Sequence, residues 1–312
     1  MNLRLAAPAI LLASLLLLPF LDKPFTIDDP LYLRAGAHAL TDPAHPGDFE
    51  QVWNAGDRLK LSQYWLGATL PAYLLAPVAA LGSKEWVAHL YQWMFLCWFL
   101  ISCVAVARRL GCDAQQANLA GVLAGSNPVA LAMASTCMPD VMAVAFGTAG
   151  MERVLAFREE RRVWAGAAAA LLLAAAVLCR ASTVLLLGTA VLLLLPASWK
   201  KPAGSLWPVA AAFTLAAGGT LLTRGATGAG SVGAALQTLT GLRNVPRNAV
   251  SFLAFEALTG PILLYWILVR GRRALAAVAA VTAGGIALSL LPFENMRQYA
   301  VPAALGLCFL AA

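Results

Sequence analysis

YWLGATLPAYLLAPVAAL, residues 64–81, is the stretch on which the fold turns. It is apolar and close to the ~20 residues that a helix needs to cross a bilayer. Two prolines, Pro71 and Pro77, interrupt it, and each removes a backbone donor and crowds the preceding turn. If the stretch crosses, every later loop changes sides. The basic clusters arbitrate: Arg108 with Arg109, Arg158 with Arg161 and Arg162, Lys200 with Lys201, and Arg270 with Arg272 and Arg273 belong on the cytoplasmic side by the positive-inside bias. With a cytoplasmic N-terminus and a non-crossing 64–81, all of these clusters fall inside; with a crossing 64–81, all fall outside. An inverted N-terminus would reverse the second case, but Arg4 and the acidic loop 22–57 speak against it. The stretch therefore reads as a juxtamembrane segment lying in, or re-entering, the interface.

The composition agrees with a membrane-embedded chain. Of 312 residues, 61% are hydrophobic and 12% charged, against the roughly 25% charged of soluble domains, and the mean hydropathy is +0.75. Apolar runs at 5–21, 86–107, 116–136, 141–157, 163–178, 183–199, 206–222, 250–269, 274–291 and 299–312 mark about 10 spans. Lipid admits only helices or closed barrels, and these runs do not alternate apolar and polar. The expected fold is all-α: a polytopic transmembrane helix bundle in a single integral membrane domain, 1–312, with an outer loop and juxtamembrane helices at 22–82. The first run has no small-x-small cleavage pattern before Asp22 and is followed by more spans, so it reads as a retained helix rather than a signal peptide. The chain stops inside the apolar run CFLAA, 308–312, which reads as a short terminus or an incomplete protein. The six cysteines lie mostly within apolar runs and lack metal-ligand spacing, so they read as buried small side chains. The net charge of +7 sits in short clusters near span ends, a signal of topology and not of nucleic-acid binding.

The same count of crossings gathers the remaining polar groups on the outer face. Asp28 and Asp29 in FTIDDPLYLRAG (25–36), Asp140 in STCMPDVMAVAF (135–146), Arg180 in VLCRASTV (177–184), and Glu294 with Arg297 in FENMRQYAVP (293–302) all fall there. So do the long first loop and the loop 224–248. Each group has a plain reading. The acidic pair could end a helix in headgroup water, and Asp140 after Pro139 could be an ordinary helix start. Arg180 could reach to the interface, and Arg297 could pair with Glu294. Each also has a chemical reading, because an ionisable residue at membrane depth is by default a functional candidate. One aspartate of the pair would act as general base on an acceptor hydroxyl while the other orients it or holds a divalent cation; Arg180 and Arg297 would hold a phosphate. His38, His45 and His89 are the only histidines, too few and too scattered to read as a zinc site. Tyr64, Trp53, Trp65 and Trp86 read first as an interfacial aromatic belt, with sugar stacking as the alternative.

The order of several short motifs carries a resemblance. DDPLY after the first span, QYWLG closing the long loop, LGSKEWVAH before the second span, then ARRLG, and MPDVM opening the fourth are together similar to the membrane-embedded C-type (GT-C fold) glycosyltransferases. The similar branch holds the protein O-mannosyltransferases and lipid A aminoarabinose transferases. It extends over about 5–195, with RQYAVP a weaker match. The resemblance implies transfer of a sugar from a polyprenyl-phosphate donor to a lipid, glycan or protein acceptor, on the periplasmic or exterior face of a bacterial inner membrane. Carried over by motif, Asp28 matches the family's first catalytic acid, Asp29 its acidic neighbour, Tyr32 the tyrosine that follows, and Asp140 the second acid. Arg180 stands where relatives carry a basic residue. Arg58, Tyr64 and Trp65 fall where the loop meets substrate. The stretch DRLKLSQYW, 57–65, lacks the Glu-Lys and Pro-Pro that relatives often carry there, so the resemblance does not extend to a metal site. Rival readings are a transporter or lipid-carrier flippase using the same charges, and a relative that binds the carrier without catalysis.

Overall fold

The computed structural model describes residues 3–26, 28–53, 57–64, 69–180, 183–194 and 205–224. These residues are mostly helical. Helix α1, Leu3–Leu17, runs into a single 3-10 turn, Leu18–Phe20. The first loop is itself folded: α2, Asp29–Thr41, is followed by an antiparallel hairpin, β1 (Glu50–Trp53) with β2 (Asp57–Lys60), by the helical turn α3, Leu61–Tyr64, and by α4, Leu70–Ala80. The hairpin pairs Gln51 with Leu59 and Val52 with Arg58, a small departure from the all-α expectation. Helices α5 (Glu85–Arg109), α6 (Ala114–Gly125), α7 (Pro128–Ala134), α8 (Asp140–Glu160), α9 (Val163–Cys179), α10 (Val184–Leu194) and α11 (Trp207–Arg224) follow.

Segment 64–81 contains α4, whose 11 residues span about 16 Å at 1.5 Å per residue. That is half of the hydrocarbon thickness, consistent with a segment that does not cross. Instead α4 lies on α2. A Cβ on Gly36 would stand 2.9 Å from the backbone carbon of Leu75, so only glycine permits this approach. Leu31, Ala35 and Ala39 of α2 close a small core with Leu61 and Ala72, and the Tyr73 hydroxyl donates to the Pro43 carbonyl at 2.7 Å.

Two helices are long and apolar enough to cross a membrane: Leu3–Phe20, 18 residues, and Glu85–Arg109, 25 residues. A third candidate is broken. The expected single span 116–136 is the pair α6 and α7, bent by 58°. The reason is chemical: Pro128 has no amide to continue the helix, and the Asn127 side chain restarts it by accepting from the amides of Val129 (2.9 Å) and Ala130 (3.1 Å). Helices α4 and α9, and α11 over Trp207–Leu222, are apolar but shorter. The number of spans among the described residues is thus two or three by length and composition, and the expected run 183–199 is described only as far as Leu194. The expected spans at 250–269, 274–291 and 299–312 lie outside the described residues.

Helix α1 runs antiparallel to α5: Ala6 near the start of α1 packs with Val104 and Ala107 near the end of α5, while the Leu21 carbonyl meets His89 near the start of α5. Helix α8 runs in the same direction as α5, from Met138 beside Gln92 to Glu159 beside Arg109. Helix α9 returns along α8, and Gly150 against Leu173 marks their close approach. Two ends result. At one, Arg109 reaches Glu152 at 2.5 Å, Glu159 at 2.6 Å and Glu160 at 3.5 Å, while Arg153 also pairs with Glu152. At the other end lie the loop 21–29, the loop 135–139 and Arg180.

Candidate functional site

Asp28 caps α2 by position but not by its side chain, which makes no bond to the first turn. Its carbonyl accepts from the amides of Leu31 (3.0 Å) and Tyr32 (3.2 Å), leaving the half-buried carboxylate with no hydrogen bond among the described residues. Burial pushes the Asp28 carboxyl above its ordinary value, the Asp29 charge pushes it further the same way, and the Arg180 guanidinium opposes both.

Asp29 differs in every respect. It is fully buried. One oxygen accepts from the Thr26 amide at 2.9 Å and from its hydroxyl at 3.4 Å, and the other accepts from the Cys137 amide at 2.7 Å. A buried carboxylate survives only when so satisfied, and hydrogen bonds to charged groups contribute about 1.5–3 kcal/mol each. The side chain thereby joins two loops 108 residues apart. Of the two roles expected for the neighbour of the base, orienting it or holding a divalent cation, the geometry of Asp29 does not suit the second: both of its oxygens are enclosed by donors. Among the described residues no group of three or more His, Cys, Asp and Glu side chains is arranged to hold a metal. The residues present do not fit a divalent cation at the acidic pair.

Asp140 opens α8 directly after Pro139, so its carboxylate stands in the first turn, where helix amides favour an anion. Its Oδ2 lies 2.9 Å from Arg180 Nη1, with both side chains more than four-fifths buried. Oδ2 makes no aligned hydrogen bond, so the contact is a close ion pair rather than a directed bond. Arg180 ends α9 with extended backbone, φ −153° and ψ 118°, and its carbonyl accepts the Thr183 hydroxyl at 2.8 Å.

Of the residues expected from sequence, Asp28, Asp29, Asp140 and Arg180 come together. Tyr32 is buried, in the apolar core that holds Leu33 and Leu75 and also Val141 and Cys179, the chain neighbours of Asp140 and Arg180. Arg58 falls on β2 and Tyr64 in α3, but their side chains, together with Trp65 and Arg297, lie outside the described residues. Three residues escaped the sequence reading as members of this end. Lys23 donates to the Ser135 carbonyl at 3.0 Å. Gln92, fully buried, donates to the Met138 carbonyl at 3.2 Å. His89 places Nδ1 2.7 Å from the Leu21 carbonyl, with Phe25 edge-on to its ring at 6.0 Å. A polar Gln92 inside the apolar run 86–107 was the available signal.

No family model, curated protein or solved structure matches this chain. The chemistry must therefore be argued from the site.

Proposed function

We propose that this chain is a membrane glycosyltransferase that moves a sugar from a polyprenyl-phosphate-linked donor to an acceptor hydroxyl on the non-cytoplasmic face. One observation supports the reading above others: Asp28, with no hydrogen bond on its carboxylate among the described residues, stands within electrostatic reach of Arg180, which is paired with Asp140. A base and a cation side by side, at one end of a helical bundle, suit displacement at a sugar carbon. Asp28 takes the proton of the acceptor hydroxyl as its oxygen attacks the anomeric carbon. The bond from that carbon to the phosphate oxygen breaks, and Arg180 stabilises the charge that collects on the departing phosphate. A carboxyl pushed above its ordinary value is the better base for this, because proton affinity nearer the working pH favours transfer. Asp140 holds the guanidinium in place, and Arg297 is assigned as a second phosphate contact. The acceptor is a lipid, glycan or protein. The location is a bacterial inner membrane with this end facing the periplasm or exterior, in a bundle of about 10 spans.

The test is transfer of labelled sugar from a polyprenyl-phosphate donor by the purified protein in detergent, comparing wild type with Asp28→Asn and Asp140→Asn. The expected result is loss of transfer in Asp28→Asn with donor binding retained. Absence of transfer with every donor, together with charge-dependent substrate flux in vesicles, would replace the enzyme with a transporter or flippase.

A further inference from the structure

We propose that Asp29 and Gln92 are positioning residues, which clamp the loop 135–139 between the start of α2 and the face of α5 and so set Asp140 and Arg180 against Asp28. Three ties converge on this loop. Lys23 Nζ donates to the Ser135 carbonyl at 3.0 Å, the Cys137 amide donates to Asp29 at 2.7 Å, and Gln92 Nε2 donates to the Met138 carbonyl at 3.2 Å. They come from three different segments, and the last falls two residues before Asp140. On the other side of the clamp, Asp29 follows Asp28 directly, so fixing its carboxylate fixes the backbone of its neighbour to within one 3.8 Å step. Both clamp residues show no exposed surface. Apolar side chains would pack at such positions with no desolvation cost, and an isolated stability role would not require a charge. Here the loop that the carboxylate and the carboxamide hold leads directly into the second acid, Asp140.

Among the described residues, few charged groups face Asp28. Asp29 lies on its own helix, Arg180 comes from the end of α9, and Asp140 from the start of α8 is joined through Arg180. Lys23, in the preceding loop, is engaged with Thr26 and Ser135. The two clamp residues are therefore separable. Removing the Asp29 charge lowers the proton affinity of Asp28; removing the Gln92 amide leaves that charge untouched.

The activity readout rests on the glycosyltransferase reading, while the clamp can be followed without it. Full-length wild type, Asp29→Asn, Gln92→Met and Asp28→Asn are compared in detergent by hydrogen exchange across 133–139, by kcat and KM for transfer, and by the pH profile of kcat/KM. Asn at position 29 offers a single acceptor oxygen where the amides of Thr26 and Cys137 each use one, so an NH2 group opposes one of the two and the tie to Cys137 weakens. The Cys137 amide should exchange at least about tenfold faster in Asp29→Asn, since local opening sets its protection. In both clamp variants kcat should fall on the order of a hundredfold, the cost of a small misplacement, with donor KM held within about twofold. The acid limb should move to lower pH in Asp29→Asn and stay in place in Gln92→Met. Should Asp29→Asn not fold, Gln92→Met carries the kinetic and exchange tests alone. Unchanged exchange, or full kcat per folded molecule, overturns the proposal. If wild type transfers no sugar, the functional reading falls and exchange decides the clamp. Asp28→Asn, which keeps every tie, must then exchange like wild type, and a faster loop in that variant also overturns it.

Discussion

Asp28 and Asp29 are identical in chemistry and adjacent in the chain, yet one is enclosed by donors and the other is not. The consequence for Asp28 is thermodynamic. Its folded carboxyl is raised from 3.8, so the native state prefers it protonated, and ionisation destabilises the fold as pH rises from that value through the folded one. Asp28→Asn should therefore melt higher than wild type at pH 7, with the difference vanishing below about pH 4, while losing activity. A lower melting temperature at pH 7 would contradict this account. The Asp140–Arg180 pair behaves oppositely. Arg180→Met leaves a mostly buried carboxylate without its counter-charge and should cost about 3–5 kcal/mol. The double variant Asp140→Leu with Arg180→Met should recover most of that loss in denaturant or thermal unfolding. Counting crossings was enough to bring these residues to one end. It could not separate Asp28 from Asp29, because that distinction depends on which amides from residues 26 and 137 reach which oxygen.

Among the elements, α4 is apolar but only 11 residues long, and it lies on α2. Gly36 allows backbone contact with Leu75, and Gly36→Ala should cost about 1–3 kcal/mol of stability, the usual penalty of overpacking. The loss should appear as increased proteolysis of the first loop before the bundle itself unfolds. The break between α6 and α7 rests on a cap, and Asn127→Ala should lower stability by about 1 kcal/mol, measured by thermal unfolding. The Asn-Pro dipeptide was legible as a helix start in the sequence. Hydropathy averaged over the run 116–136 hid it, because the apolar side chains on both sides of the break are alike. The hairpin at residues 50–60 was not legible, since two four-residue strands, EQVW and DRLK, carry no apolar alternation to announce it.

In the whole molecule, α5 and α8 run in one direction while α1 and α9 run in the other, so that acids near residues 28 and 140 share an end and the basic residues near 109 and 153–162 share the other. The Arg109 fan onto Glu152, Glu159 and Glu160 fastens α5 to α8 at that second end. The orientation across the membrane is tested by single cysteines in a cysteine-free background. Asp48→Cys should react with an impermeant reagent applied to intact cells, and Glu160→Cys should react only after permeabilisation. The reverse pattern would remove the outer-face site.

The sequence by itself determined that the chain is apolar and helical, and that Asp28, Asp29 and Asp140 fall at the end opposite the basic clusters near 109 and 158–162. Hydropathy and charge are sums over residues, and sums need no coordinates. Only the tertiary structure decided what each polar group does. Asp29, Gln92 and Lys23 are held by partners more than 40 residues away in the chain, and a hydrogen bond depends on distances of a few tenths of an ångström that no count of crossings can supply. The pair of aspartates was visible in the sequence; which of them is left without a hydrogen bond is a property of the folded chain.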